Sequence, residues 1–229
     1  MAAPLTGISS MATRQILAEL SEAYTKRTGQ AVAIESVGGV DAAKRVRAGE
    51  AFDIVVLADD VMRQLEADGF LKPGSRAGFA RSAMAVAIRA QAARPDLGNE
   101  ASFKAAMLAA KTIGYSTGPS GNHVLALLKT WGIEQAVSGR LVKAPPGVPV
   151  GTLVARGDAE LGLQQLSEFL DVPGIEIAGP LPPEVQSVTL FSCGVCTRAP
   201  NDAGARAFIE FLTSAEAAAT KTRQGMEPA

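Results

Sequence analysis

Two periods of apolar residues alternate along the chain. Leu5–Ile8 is a short apolar run that predicts a strand, with Ser9 and Ser10 in the loop after it. Ile16, Leu17, Leu20 and Tyr24 then recur at helical spacing up to a stop at Gly29. Ala31–Glu35 predicts a second strand, Gly38–Gly39 a loop, and Val40–Ala48 a short helix ended by Gly49. The run DIVVLA, Asp53–Ala58, is too uniformly apolar for an exposed face and predicts a strand buried on both sides, as in parallel sheets. A helix from Asp60 to Asp68 follows, ending at Gly69. This β-α-β-α-β-α order predicts an α/β fold with mostly parallel sheets. Right-handed crossovers place each strand-to-helix loop at the carboxyl edge of the sheet, where ligands gather.

After a strand within Arg81–Arg89 the pattern restarts. Ser102 can cap a helix running through Ala110, and Thr112–Tyr115 predicts a strand. Leu141–Ala144 predicts another strand, and the loop APPGVPVG leads into Thr152–Arg156. ELGLQQ, Glu160–Gln165, reads as a strand edge ending in polar side chains; Ile175–Ala178 and Ser187–Ser192 read as strands. Helices over Ala203–Leu212 and Ala215–Arg223 close the chain. No repeat, low-complexity tract or flexible linker interrupts it. Phe79–Ser82 and Pro182–Glu184 are the positions where the chain can cross between two lobes.

The most informative stretch is Ile113–Gly132, IGYSTGPSGNHVLALLKTWG. A β-type run meets a Gly/Pro/Ser loop, Ser116–Gly121, and then a helix with Val124, Leu127, Leu128 and Trp131 on one stripe. Small loop residues let the backbone come close to a ligand. The first unbonded N–H groups of the helix point into the loop, where the helix dipole favours an anion. The chain's one histidine, His123, lies in that first turn.

Composition narrows the function. With 229 residues the chain can form one domain or two small lobes, and 47% hydrophobic with 20% charged residues suits a globular protein. The net charge is −1 with dispersed Lys and Arg, which argues against a nucleic-acid partner, since that would want a basic face. No apolar run reaches the roughly 20 residues that span a bilayer. The start, MAAPLTGISS, has neither a basic n-region nor a long apolar segment, so it is not a signal peptide. The expectation is a periplasmic protein whose signal has been removed, with a cytoplasmic one the alternative. Cys193 and Cys196, in FSCGVCTRAP, allow a redox pair or half a zinc site, or two small strand residues. The β-type context and the single His favour the last, and no metal site is expected.

Three segments carry a family resemblance: ISSMATRQILAELSEAYTKRTG, AAKRVRAGEAFDIVVLADDVMRQLEADG and FIEFLTSAEAAATKTRQG. They resemble the molybdate-binding proteins of ABC transporters over nearly the whole chain. The resemblance implies the two-lobed type II periplasmic-binding-protein fold, with a ligand cleft between lobes. It implies lobe 1 from residues 1–79 plus 192–229 and lobe 2 from 80–191. It also implies a small anionic ligand, a permease of an ABC transporter as partner, and a monomer. The ligand loops carry over residue by residue. The first matches Thr13, with Ser9, Ser10 and Arg14 beside it; the second matches Gly39 and Val40, where molybdate binders have a hydroxyl. The third matches Pro119–Ser120–Gly121, flanked by Ser116 and Asn122. The fourth matches Val148. The fifth, usually Tyr, matches Gln165.

Two of five positions have changed and an Arg is added, so molybdate, tungstate or sulfate fits less well than a carboxylate, which the fork of Arg14 would hold by two parallel hydrogen bonds. A solvated helix position is the other reading of Arg14. The expected ligand is a di- or tricarboxylate.

GYSTGPSG, APPGVPVG and ELGLQQLSE resemble a subset of the family that includes aconitate isomerase. That alternative is a cofactor-independent allylic shift. A proton leaves a carbon alpha to a carboxylate and one returns two carbons away, which needs an acid–base group and donors for the dienolate-like charge. His123 is the candidate shuttle, with a polar helix-flank residue as its other reading. Thr117 joins the orienting hydroxyls. Ser167 and Ser192 read as local hydrogen-bonders. Asp59 and Asp60 read as caps of the following helix rather than ligands. No nucleophile elbow, P-loop or dinucleotide fingerprint is present.

Overall fold

A computed structural model describes residues 3–145 and 147–229. In chain order its elements are β1 (Leu5–Ser10), α1 (Arg14–Thr28), β2 (Val32–Val37), α2 (Gly39–Arg47), β3 (Ile54–Ala58), α3 (Asp59–Ala67), β4 (Ala77–Arg89), α4 (Glu100–Ala109) and β5 (Ile113–Tyr115). Then come α5 (Pro119–Thr130), α6 (Glu134–Val137), β6 (Leu141–Lys143), α7 (Val150–Arg156), β7 (Leu161–Gln165), β8 (Ile175–Pro180), β9 (Val188–Val195), α8 (Asp202–Thr213), α9 (Ala218–Arg223) and β10 (Glu227–Pro228). Two compact units result, Met1–Ser82 with Thr189–Ala229, and Ala83–Val188. The 3-10 turn Pro183–Val185 belongs to the second.

In the first unit β1 pairs in parallel with β2 and β3, and β9 runs antiparallel to β3. β10 pairs with the start of β4. The alternation of β3 explains the two-sided burial read from its sequence. Ile54, Val56 and Ala58 face a core built with α1 and α8, through Leu17, Leu20 and Phe208. Val55 and Leu57 face a second core with α2 and α3, through Val46, Met62 and Leu65. Period two thus sends successive residues of one strand to different layers. Gly29, in the left-handed conformation (φ 76°), ends α1, with its N–H donating to the Thr25 carbonyl.

In the second unit β5 pairs in parallel with β6 and β7, and β4 lies antiparallel to β7 and β8. The sheets are therefore mixed: helix-linked strands are parallel, and the long β4 and β9 add antiparallel pairs. Met84, Val86 and Ile88 of β4 meet Phe103, Val124 and Leu128 on one face. Ala85 and Ala87 meet Val150, Val154 and Phe169 on the other. That second face is kept flat. A Cβ on Gly162 would sit 2.6 Å from Val154, so α7 packs close only because glycine stands there.

Three local expectations change. The cap of α4 is Asn99, whose Oδ1 accepts from the Ser102 N–H at 2.9 Å, so Ser102 receives the cap and does not provide it. β7 is not an edge; it lies between β4 and β5 with every residue buried. Its polar end is used locally: Gln164 Oε1 accepts from the Val150 N–H at 2.8 Å, covering the start of α7, and Nε2 donates to Glu168 at 2.5 Å. The last expected helix is a 3-10 turn, Ala215–Ala217, followed by α9.

Candidate functional site

The carboxyl ends of β1, β2 and β3 feed α1, α2 and α3, so each unbonded helix start belongs to one edge of the first sheet. Ser9 and Ser10 end β1 and do not form a loop. As neighbours in a strand they point to opposite faces. Ser9 is fully buried; its Oγ shares a 2.8 Å hydrogen bond with Ser36 Oγ at the end of β2. Ser10 is 8% exposed, and its hydroxyl has no hydrogen-bond partner among the described residues. Gly39, the first residue of α2, lies against it: a Cβ there would stand 3.7 Å from the Ser10 Cβ. A buried polar atom left unpaired costs free energy, about 1–3 kcal/mol, unless a ligand or water meets it. Beside it Val40 presents an apolar surface, 53% exposed.

The remaining first-loop candidates divide. Thr13 is buried and its hydroxyl donates to the Ser10 carbonyl at 3.0 Å, so it shapes the turn and has that donor occupied. Arg14 is exposed in the first turn of α1, and its guanidinium makes no ion pair among the described residues. It lines a cavity between α1 and β2 together with Leu17 and Ser36; Ser10 and Gly39 are not in that lining.

In the second unit the third loop behaves as its composition predicts. Ser116 Oγ and Ser120 Oγ share a 2.9 Å hydrogen bond, and the Gly118 N–H reaches Ser116 Oγ at 3.4 Å. Pro119 is the first residue of α5, where its missing N–H is harmless. Gly121 is obligatory: a Cβ would fall 1.7 Å from the Ser116 carbonyl oxygen. The chain therefore folds back tightly over the start of α5 and presents its amides with two hydroxyls. Asn122 is exposed on the next position, and Val148 is half-buried in the loop before α7, its N–H donating to the Pro145 carbonyl. Gln165 is buried at the end of β7.

His123 is half-buried, with Nε2 2.8 Å from the Val185 carbonyl oxygen. A carbonyl only accepts, so Nε2 carries a hydrogen and donates it to Val185. The ring also ties α5 to the Pro183–Val185 turn.

Asp59 does not cap α3. It is the first helical residue, 8% exposed, and its Oδ1 accepts from Ser192 Oγ at 2.5 Å and from Arg76 Nη1 at 2.6 Å. Arg76 also donates to Glu66 at 2.8 Å, and these carboxylates hold its pKa above the usual arginine value. Sequence separation hid this network. Asp59 and Ser192 are 133 positions apart and meet because β3 and β9 are paired. Ser167 is buried beside β7. Cys193 and Cys196 are free and buried, and burial pushes both thiols up to about 12. They belong to the cores on opposite faces of the first sheet, as an odd spacing in a strand requires. No group of three or more acidic, His or Cys side chains suited to a metal occurs among the described residues.

The chain is similar to known proteins in sequence and in fold. Over 231 aligned residues, 98% of this chain and 87% of the relative, the sequence is 34% identical to an aconitate isomerase from Pseudomonas sp.. The periplasmic molybdate-binding protein of Azotobacter vinelandii superposes with a TM-score of 0.82 at 21% identity, covering 97% of this chain and 98% of that one. The periplasmic binding protein AgtB from A. tumefaciens R10, solved in complex with agropinic acid, superposes with a TM-score of 0.75 at 16% identity, covering 100% and 83%. These structures share the periplasmic-binding-protein fold. Residues 5–227 match the description "bacterial extracellular solute-binding protein", and the chain belongs to that family.

Proposed function

We propose that the chain binds a small organic anion, a di- or tricarboxylate, through the Ser10 hydroxyl and the helix-start amides of α2 at Gly39. The observation that carries this reading is the buried, unpartnered Ser10 hydroxyl beside the start of α2. A hydroxyl and adjacent unbonded N–H groups supply hydrogen bonds and positive potential without a full cation. Val40, exposed where molybdate binders carry a hydroxyl, suits a carbon skeleton better than an all-oxygen surface. A protein of this family would work in the periplasm, and a permease of an ABC transporter is the expected receiver of its ligand. Isothermal titration with trans-aconitate, citrate and molybdate tests the reading. Saturable heat from a carboxylate and none from molybdate is expected; the reverse would overturn it.

A second reading, aconitate isomerase activity, is favoured by the 34% identity over nearly the full chain. In it, a base removes a proton from the methylene carbon alpha to a carboxylate, the double bond moves by one carbon, and a proton returns to the former vinyl carbon. His123 Nδ1 is the acid–base atom this reading requires, since Nε2 is occupied by Val185. The amides and hydroxyls of the Ser116–Gly121 loop, on the same unit as His123, would carry the spread negative charge. His123→Ala should then abolish turnover while leaving ligand binding within a few-fold.

A further inference from the structure

The first unit holds a cavity that neither reading uses. It is about 470 Å³ and lies between one stripe of α1 and the outer strand β2. Its helix wall includes Leu17, Ala18 and Ser21; its strand wall includes Val32, Ile34 and Ser36. The stripe follows the i, i+3, i+4 spacing of one helix face, with Ala18 and Ser21 where a packed helix would place bulk. Val32 and Ile34 consequently stay half-buried. That volume falls in the range of small-molecule sites.

The second observation is Ser21. It is 8% exposed and its Oγ has no hydrogen-bond partner among the described residues. A serine inside a helix either turns its hydroxyl to solvent or donates to the carbonyl four residues back. Here the hydroxyl makes no such bond, although the Ser21 carbonyl itself accepts from Thr25 Oγ1 at 2.8 Å. One buried unsatisfied hydroxyl therefore stands in a largely aliphatic wall. At one mouth is Arg14, a guanidinium with no ion pair among the described residues. At the other, Lys26 is already near Glu22, 3.8 Å away.

We propose that this cavity is a second binding site, for a medium-chain aliphatic carboxylate bearing a hydroxyl or oxo group far along its chain. The carboxylate pairs with Arg14, the methylenes lie against Leu17, Val32 and Ile34, and the distal oxygen meets Ser21 Oγ. Seven residues separate Arg14 from Ser21, a rise of about 10 Å, which a chain of about eight carbons spans. The site does not rest on the anion reading, because Ser10, Gly39 and the second unit take no part in it.

The probes are octanoate and 8-hydroxyoctanoate, titrated into methyl-labelled protein and followed by NMR. Saturable shifts of the Leu17, Val32 and Ile34 methyls are expected, with 8-hydroxyoctanoate binding about 5- to 10-fold tighter. Ser21→Ala should remove that preference while retaining octanoate. Ala18→Phe, which fills the cavity from an exposed helix position, should abolish both without changing the thermal midpoint by more than a few degrees. Absence of methyl shifts at millimolar probe, shifts unchanged in Ala18→Phe, or a hydroxyl preference that survives Ser21→Ala would each overturn the proposal.

Discussion

Three residues show how far local surroundings depart from what composition predicts. Ser10 is buried with no hydrogen-bond partner for its hydroxyl among the described residues, and the proposed function gives that hydroxyl to the ligand. Ser10→Ala should weaken binding of the preferred carboxylate about 10-fold by calorimetry, with the melting temperature unchanged or slightly raised. A wild-type dissociation constant would remove Ser10 from the site. Gly121 is fixed by the Ser116 carbonyl. Gly121→Ala should cost about 2–4 kcal/mol in chemical denaturation, because backbone has to move to admit the methyl; a loss under 0.5 kcal/mol would contradict the tight turn.

Lys221 is 2% exposed on α9, with Nζ 5.0 Å from the centre of the Phe79 ring and no ion pair among the described residues. Burial lowers its pKa. The unfolded chain therefore holds this proton more tightly than the folded one. The resulting penalty is fully present below the lowered folded value and is relieved as pH rises from there towards the unfolded value of about 10.4. Lys221→Met keeps the packing and removes the charge, so it should stabilise the protein at pH 7 by about 1 kcal/mol and flatten stability against pH over that window. An equal or lower stability at pH 7 would contradict it. The identity of these residues was visible in the sequence. The direction of each was not, because Ser9 and Ser10 read as one loop until the strand is known to run through both.

Local periodicity revealed most of the elements. The alternation of strand and helix in residues 5–69 follows from stripes such as Ile16, Leu17, Leu20 and Tyr24, and from glycine stops, all local signals. Long-range pairing was not legible. Nothing near Asp59 announces Arg76 or Ser192, and the capping rule gave Asp59 the wrong partner. Since Asp59 holds α3, β9 and the segment before β4 together, Asp59→Ala should destabilise by about 2–4 kcal/mol, leaving a buried hydroxyl and a guanidinium short of their acceptor. A urea midpoint equal to wild type would show the network to be dispensable. Likewise Asn99→Ala should cost about 1 kcal/mol and Ser102→Ala much less, reversing the order expected from sequence.

For the whole molecule, the solute-binding family and its fold were readable from three sequence segments. Which loop residues are available to a ligand was not. Thr13 carries the matching hydroxyl of the first loop but donates it to its own turn, while the adjacent Ser10 keeps its own unpaired. His123, read from sequence as a helix-flank residue or a proton shuttle, has Nε2 held by the Val185 carbonyl.

The central claim is that this chain takes a small carboxylate at its loop hydroxyls and helix starts. Proton NMR of the protein with trans-aconitate in D2O tests it most directly, because one spectrum series reports both binding and turnover. The account predicts broadened ligand resonances, restored by competing citrate and reduced in Ser10→Ala. Formation of deuterated cis-aconitate would show isomerase chemistry as well as binding. Sharp, unchanged aconitate lines at millimolar ligand, with no product, would contradict the account.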